Sequence, residues 1–117
     1  MSSINPAEDT KTQTIILADD NPENLNVLSR ILENEGYKVR TAKNGQLALN
    51  SILAAPPDIA LIDIHMPVMD GYEASKPIRE YSQKLPIIAL TASVMPADIQ
   101  KTKEARMDYH LKKPISV

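Results

Sequence analysis

The chain has 117 residues, a net charge of −2 and no cysteine. It is long enough for one domain, and disulfides and cysteine–zinc sites are excluded. The charge balance gives no electrostatic reason to expect contact with nucleic acid or an anionic membrane. No apolar run approaches the roughly 18 residues of a membrane span, and no signal peptide is evident. We therefore expect a cytoplasmic protein, in keeping with the lack of cysteines.

The first predicted elements follow a polar amino-terminal segment. Residues 1–13 are interpreted as a flexible lead-in, and residues 14–117 as the folded domain. An apolar run at residues 14–18 predicts a strand. The Asn-Pro-Glu sequence at residues 21–23 is typical of a helix start, and Gly36 of a helix stop.

Short apolar runs and longer amphipathic runs continue to alternate along the chain. Residues 37–42 alternate as a half-exposed edge strand does, and residues 59–62 form a continuous apolar run, typical of a buried strand. The remaining elements are predicted as a helix from the Asn44-Gly45 turn to about residue 55, a helix at 72–82, a strand at 86–90, a weakly apolar helix from Pro96, and a strand at 109–112. Five strands alternating with four helices predict an α/β fold with a parallel sheet covered on both faces.

Polar residues stand at the carboxyl ends of four predicted strands. These are Asp19 and Asp20, Asp63, Thr91 and Lys113. In open parallel sheets the ligand crevice lies outside these strand ends, so we expect the five side chains to share one crevice.

Three crowded carboxylates repel one another and require positive charge among them. A lysine supplies one charge, and Mg²⁺, which prefers a few carboxylates and retained waters, supplies two. A lysine and a hydroxyl beside such a metal suit a phosphoryl group that a carboxylate can attack. The residues alone therefore predict metal-assisted phosphoryl transfer to an aspartate.

Each of these residues also has a plainer interpretation. Asp19 and Asp20 could only cap a helix, and Thr91 is a residue type that strands favour. Lys112 rivals Lys113, although alternation along a strand places the two on opposite faces.

The set of motifs resembles the receiver domain of response regulators, including the chemotaxis receivers. The resemblance covers about residue 14 to the end and rests on motifs in the family's order and spacing: Asp19-Asp20, Asp63 followed by Met-Pro-Val-Met-Asp-Gly at 66–71, Thr91-Ala92, and Lys113-Pro114. It implies a flavodoxin-like, doubly wound sheet of five parallel strands in the order 2-1-3-4-5.

The resemblance also implies a role for each site residue. Asp63 would be the phosphoacceptor, with Mg²⁺ bound by Asp20, Asp63 and the backbone carbonyl of His65, and by Asp19 through water. Lys113 and Ala92 would contact the phosphoryl group, and Thr91 would be the switch hydroxyl that moves toward its oxygens.

Other residues would control the response. His110 would act as a switch, if it is more than an exposed strand residue, and the side chains of His65 and Ser93 would tune dephosphorylation. The implied partners are a histidine kinase or a histidine phosphotransfer domain. The chain would catalyse only its own phosphorylation and dephosphorylation.

Three features depart from the family pattern. Pro77 falls inside the third predicted helix, which predicts a late start or a kink. Arg106 stands where many members have glycine, which predicts a less sharp helix end. The family has a fifth helix after Lys113-Pro114, and the sequence ends at Val117. We therefore expect this helix to be missing, leaving an apolar face through which the chain self-associates.

Two other functions are weighed against the receiver. A haloacid-dehalogenase type of phosphatase also uses Mg²⁺ and an aspartyl nucleophile, but it places that nucleophile in an Asp-x-Asp motif, whereas Asp19 and Asp20 are adjacent. A non-phosphorylated interaction module would keep the fold, but it would not need the full set of acids, Thr91 and Lys113.

Overall fold

The computed structural model describes residues 12–66, 68–92 and 95–113. Within these ranges five strands alternate with four helices, as the pattern predicts. In chain order they are β1 (Thr14–Ala18), α1 (Pro22–Asn34), β2 (Lys38–Ala42), α2 (Gly45–Ala54), β3 (Ile59–Asp63), α3 (Gly71–Tyr81), β4 (Ile87–Thr91), α4 (Pro96–Glu104) and β5 (Tyr109–Lys112).

All strand pairs are parallel, and the sheet order is β2-β1-β3-β4-β5. The predicted order 2-1-3-4-5 is confirmed. Because β1 lies between β2 and β3, the chain reverses its direction of winding there, and a crevice opens at the carboxyl ends of β1 and β3.

The core lies on both faces of the sheet and is aliphatic, since the sequence contains no phenylalanine or tryptophan. One cluster packs between the sheet and the helices α2 and α3, and its largest fully buried members include Ile16, Ile62 and Ile78. The other lies under α1 and includes Leu17, Leu25 and Leu90. Because helices cover both faces of the sheet at β3, the side chains on both sides of this strand are buried. This burial explains its continuous apolar sequence.

The ends of helices α1 and α4 have the same backbone motif with different residues. Gly36 follows α1 with a φ of 101°, and Arg106 follows α4 with a φ of 62°. In each, the backbone N–H two residues past the C-cap donates a hydrogen bond to the carbonyl oxygen five residues earlier. After α1 the Tyr37 N–H donates to Leu32 O at 3.2 Å, and after α4 the Met107 N–H donates to Thr102 O at 3.0 Å. This is a complete Schellman motif. The prediction of a less sharp end at Arg106 is therefore wrong, because the arginine adopts the left-handed conformation that glycine usually supplies.

Helix α3 begins at Gly71 and runs without interruption past Pro77. The predicted late start is wrong because a capping box fixes the first turn: Asp70 Oδ1 accepts from Glu73 N at 2.8 Å, and Glu73 Oε1 accepts from Asp70 N at 3.0 Å. The proline leaves the carbonyl of Glu73 without its helical donor, so a kink there stays a prediction.

A buried arginine ties together the end of the sheet opposite the crevice. Arg79 in α3 is only 4% exposed. Its guanidinium donates to Leu85 O at 2.6 Å and Arg106 O at 2.8 Å, and pairs with Asp108 Oδ2 at 2.8 Å. Asp108 Oδ2 also accepts from Ile87 N at 2.8 Å. One side chain thereby joins α3, the start of β4 and the turn between α4 and β5.

The edge strand β5 exposes two apolar side chains on one face of the sheet. Tyr109 is 67% exposed and Leu111 is 42% exposed. They pair with Ile88 and Leu90 of β4, and so lie on the same face of the sheet as α1. The family's fifth helix, which we expect to be missing, would follow Pro114. Residues 114–117 lie outside the described residues, so this expectation stays a prediction. Among the helices of the described ranges, none has the length and apolar character that crossing a membrane requires.

Candidate functional site

Three carboxylates meet at the carboxyl ends of β1 and β3. One oxygen from each of Asp19, Asp20 and Asp63 lies within 4.8 Å of the others. Asp19 and Asp63 are buried, whereas Asp20 is exposed. The strand order explains this cluster, since β1 and β3 are neighbours although 44 residues separate Asp19 from Asp63.

Lys113 supplies the positive charge in this cluster. Its Nζ donates to Asp63 Oδ2 at 2.8 Å and lies 3.4 Å from Asp19 Oδ2. Its backbone N–H donates to Thr91 O at 2.7 Å, which places the residue just past β5 beside the end of β4. The side chain of Lys112 is exposed instead. Of the two rival lysines, the structure brings Lys113 to the acids.

Backbone and side-chain donors hold the two buried carboxylates. Asp63 Oδ1 accepts from His65 N at 2.9 Å, and Asp19 Oδ1 accepts from Asn21 N at 2.9 Å. The amide of Asn24, in the first turn of α1, donates from Nδ2 to Asp19 Oδ2 at 3.3 Å. Sequence reasoning missed Asn24, although its position in the turn that follows the aspartates could have indicated it.

Burial and charge shift the pKa values of both members of the ion pair between Asp63 and Lys113. Burial raises the pKa of the Asp63 carboxyl, against the hydrogen bonds from Lys113 and His65, and the negative charge of Asp19 adds to the rise. Partial burial alone would lower the pKa of the Lys113 ammonium, but the hydrogen bond and charge of Asp63 outweigh it and raise that pKa. Lys113 therefore stays charged at neutral pH, while ionised Asp63 needs further positive charge.

The loop between β3 and α3 passes close to two helix starts. A Cβ on Gly71 would lie 2.7 Å from the carbonyl oxygen of Asp63. A Cβ on Gly45, the first residue of α2, would clash with the carbonyl oxygen of Met69, which accepts from Gly45 N at 2.9 Å. Between them Val68 is exposed with a φ of 71°, which is strained for a β-branched residue. Gly71 therefore lets the start of α3 approach Asp63 closely, and Gly45 lets the loop approach the start of α2.

The remaining predicted site residues lie around this centre. Thr91 is buried at the end of β4, and Ala92 follows it with an exposed side chain. His110 pairs with Ala89 in β5 and lines a small groove against α4 with Ile99 and Thr102, so it faces the opposite side of the sheet from Tyr109. The predicted contribution of Ser93 to dephosphorylation concerns a residue that lies outside the described ones.

The donor set fits Mg²⁺. Three carboxylates and one ammonium leave two negative charges, which match a divalent cation. Hard oxygen donors from few protein groups, one of them exposed to solvent, suit a metal that retains several waters.

The chain matches the family model described as the response regulator receiver domain over residues 15–117. Sensor histidine kinase GacS of Pseudomonas protegens is 38% identical over 112 residues, which are 92% of this chain and 12% of that protein. The chain thus spans a small part of the sensor kinases it resembles.

Solved structures show the same fold. Chemotaxis protein CheY4 of Vibrio cholerae superposes with a TM-score of 0.86 at 32% identity, over 90% of this chain and 89% of that one. The receiver domain of sensor histidine kinase PA1611 from Pseudomonas aeruginosa has a TM-score of 0.83 at 36% identity, over 90% and 88%. That structure holds a magnesium ion coordinated in its active site cleft.

The chain therefore belongs to the response regulator receiver domain family. Receiver domains are the phosphoacceptor modules of two-component signalling, and this chain carries the acidic site of such a module.

Proposed function

We propose that Asp63 is the phosphoacceptor of this receiver domain and that Mg²⁺ binds beside it. The observation that carries the proposal is the contact of Asp63 Oδ2 with Lys113 Nζ at 2.8 Å inside a cluster of three carboxylates. Asp20 and Asp63 would bind the metal directly with the His65 carbonyl, and Asp19 through water. The metal would neutralise phosphoryl oxygens and favour the ionised form of Asp63.

The chain's own residues then account for the transfer. One carboxylate oxygen of Asp63 attacks the phosphorus of a phosphohistidine, an O–P bond forms, and the N–P bond breaks. The leaving imidazole takes a proton from solvent. Lys113 stabilises the negative charge on the transferring group, and Thr91 and the Ala92 backbone bind its oxygens. The His65 N–H holds the acceptor carboxylate in place, at 2.9 Å.

The product signals through the face formed by α4 and β5. Thr91 moves toward the phosphoryl group, and His110 responds from its groove against α4. Because α4 buries only Thr102 among its nine residues, this helix is lightly held and suited to a change of position. The side chains of His65 and Ser93 tune hydrolysis of the acyl phosphate. Apart from these reactions on itself, the domain catalyses none.

The partners follow from this chemistry. The donor is a histidine kinase or a histidine phosphotransfer domain, and the domain makes no contact with nucleic acid or membrane. The chain works in the cytoplasm, where such donors present their phosphohistidine. Self-association occurs through the apolar face of β5 that Tyr109 and Leu111 expose.

Intact mass after incubation with acetyl phosphate and Mg²⁺ tests the proposal. We expect one phosphoryl group on the parent and none on Asp63→Ala. The parent should also take none when EDTA is present during the incubation. Lys113→Ala should be phosphorylated much more slowly, whereas Lys112→Ala, with its exposed side chain, should behave as the parent does. A parent that binds Mg²⁺ but takes no phosphoryl group would instead support the interaction module.

A further inference from the structure

Asn24 contacts the least accessible carboxylate of the site. Asp19 is completely buried, and each of its oxygens has a partner. Oδ1 accepts from the backbone of Asn21, while Oδ2 is shared by Asn24 Nδ2 at 3.3 Å and Lys113 Nζ at 3.4 Å. Asn24 is therefore the neutral side-chain donor to the same oxygen that the site lysine approaches.

The shared oxygen matters because the Lys113 ammonium lies near two carboxylates, those of Asp63 and Asp19. It lies 2.8 Å from Asp63 and 3.4 Å from Asp19. A buried carboxylate oxygen that lost its other donor would be incompletely satisfied and would attract the ammonium more strongly. Lys113 would then be divided between the two acids, and the orientation of the Asp19 carboxylate would depend on the Asn21 N–H and Lys113 alone.

We infer that Asn24 is a positioning residue, which fixes Asp19 for the metal and leaves Lys113 directed at Asp63. The inference rests on the proposed Mg²⁺ site. An amide suits the position because it donates a hydrogen bond without adding charge. The site keeps the two net negative charges of three carboxylates and one ammonium, whereas a lysine at position 24 would remove one and an aspartate would add one.

Asn26 provides a matched control. It lies in the same helix two residues further on, and its side chain is exposed. Replacing either asparagine by leucine removes an amide of similar size from α1, and leucine has the higher helix propensity of the two. Only the replacement at position 24 removes a donor to Asp19.

The test is the Mg²⁺ dissociation constant, measured by isothermal titration calorimetry with MgCl₂. Loss of a partner that orients a metal ligand typically weakens binding about 10- to 100-fold, so we expect Asn24→Leu to bind Mg²⁺ about 10-fold more weakly than the parent. Asn26→Leu should match the parent. Unfolding in EDTA should show that both variants are folded.

A double-mutant cycle with Asp19→Asn separates positioning from general packing. If Asn24 acts through the Asp19 carboxylate, Asn24→Leu should have little further effect on the dissociation constant in the Asp19→Asn background. An equal effect in both backgrounds, or an Asn24→Leu variant with the parent's affinity, would overturn the inference while leaving the proposed function intact. A parent that binds no Mg²⁺ would overturn both.

Discussion

Arg106 offers a direct test of how α4 ends. It holds a φ of 62°, the conformation that Gly36 adopts at the end of α1. An L-residue in the left-handed region costs about 1–2 kcal/mol. Glycine avoids that cost, but its greater freedom in the unfolded chain offsets about 0.4–1 kcal/mol. We therefore expect Arg106→Gly to increase the free energy of unfolding by about 0.5–1 kcal/mol.

The backbone contacts of this turn survive the substitution. The Arg106 carbonyl still accepts from Arg79 Nε, at 2.8 Å, and the arginine side chain itself is exposed. The free energy is measured by equilibrium unfolding in urea, followed by circular dichroism. In a separate thermal unfolding experiment the midpoint temperature should rise by about 2–6 °C.

Arg106→Ala is the control, because it removes the side chain but keeps the Cβ that makes this conformation costly. It should give no comparable gain. Equal stabilisation by alanine and glycine would show that the arginine side chain, and not the backbone conformation, limits stability here, and the reasoning would be refuted.

Three further changes test the site and its support. Gly71→Ala places a Cβ 2.7 Å from the Asp63 carbonyl oxygen. It should lower the free energy of unfolding, measured in urea, by about 1–3 kcal/mol and slow phosphorylation by acetyl phosphate. Parental values for both quantities would contradict the close approach. Asp108→Asn removes the charge that pairs with buried Arg79 and should cost about 1–3 kcal/mol in the same assay, with no change in Mg²⁺ affinity as the control. Burial raises the pKa of Asp63, so the folded state binds that proton more tightly than the unfolded state, and the carboxyl group's contribution to stability is lost as pH rises through the raised value. In EDTA, Asp63→Asn should therefore gain stability relative to the parent as pH rises from 4 to 7 (the ordinary pKa is about 3.9), and a difference independent of pH would contradict this.

The fold could be predicted because most elements have a strong local signal, the weakly apolar helix α4 being the exception. The apolar run of β3, the Asn21 cap of α1 and the Gly36 stop mark element type and boundaries through interactions within a few residues. The late start considered at Pro77 and the less sharp helix end at Arg106 are wrong because capping or tertiary structure outweighed a residue's own preference, whereas the kink at Pro77 stays a prediction. In both cases hydrogen bonds at a helix end fixed a backbone conformation that propensity alone disfavours.

The site could be predicted only in part, because strand ends are visible in a sequence but contacts across loops are not. Asp19, Asp20 and Asp63 follow from the rule that ligands gather at the carboxyl ends of parallel strands, whereas the choice of Lys113 over Lys112 came from the family resemblance. The amide of Asn24 and the approach of Gly45 to Met69 depend on how helix starts are oriented over the sheet. No periodicity in the sequence encodes that orientation.

The Arg79 contacts also determine how α4 can move. The carbonyl of Arg106, just past the carboxyl end of the helix, is fixed to α3 through the buried guanidinium. At the opposite end the helix begins at Pro96, with Met95 at the N-cap position. If the proposed change of position leaves this contact intact, α4 would rotate about its carboxyl end, and the residues nearest Pro96 would be displaced most.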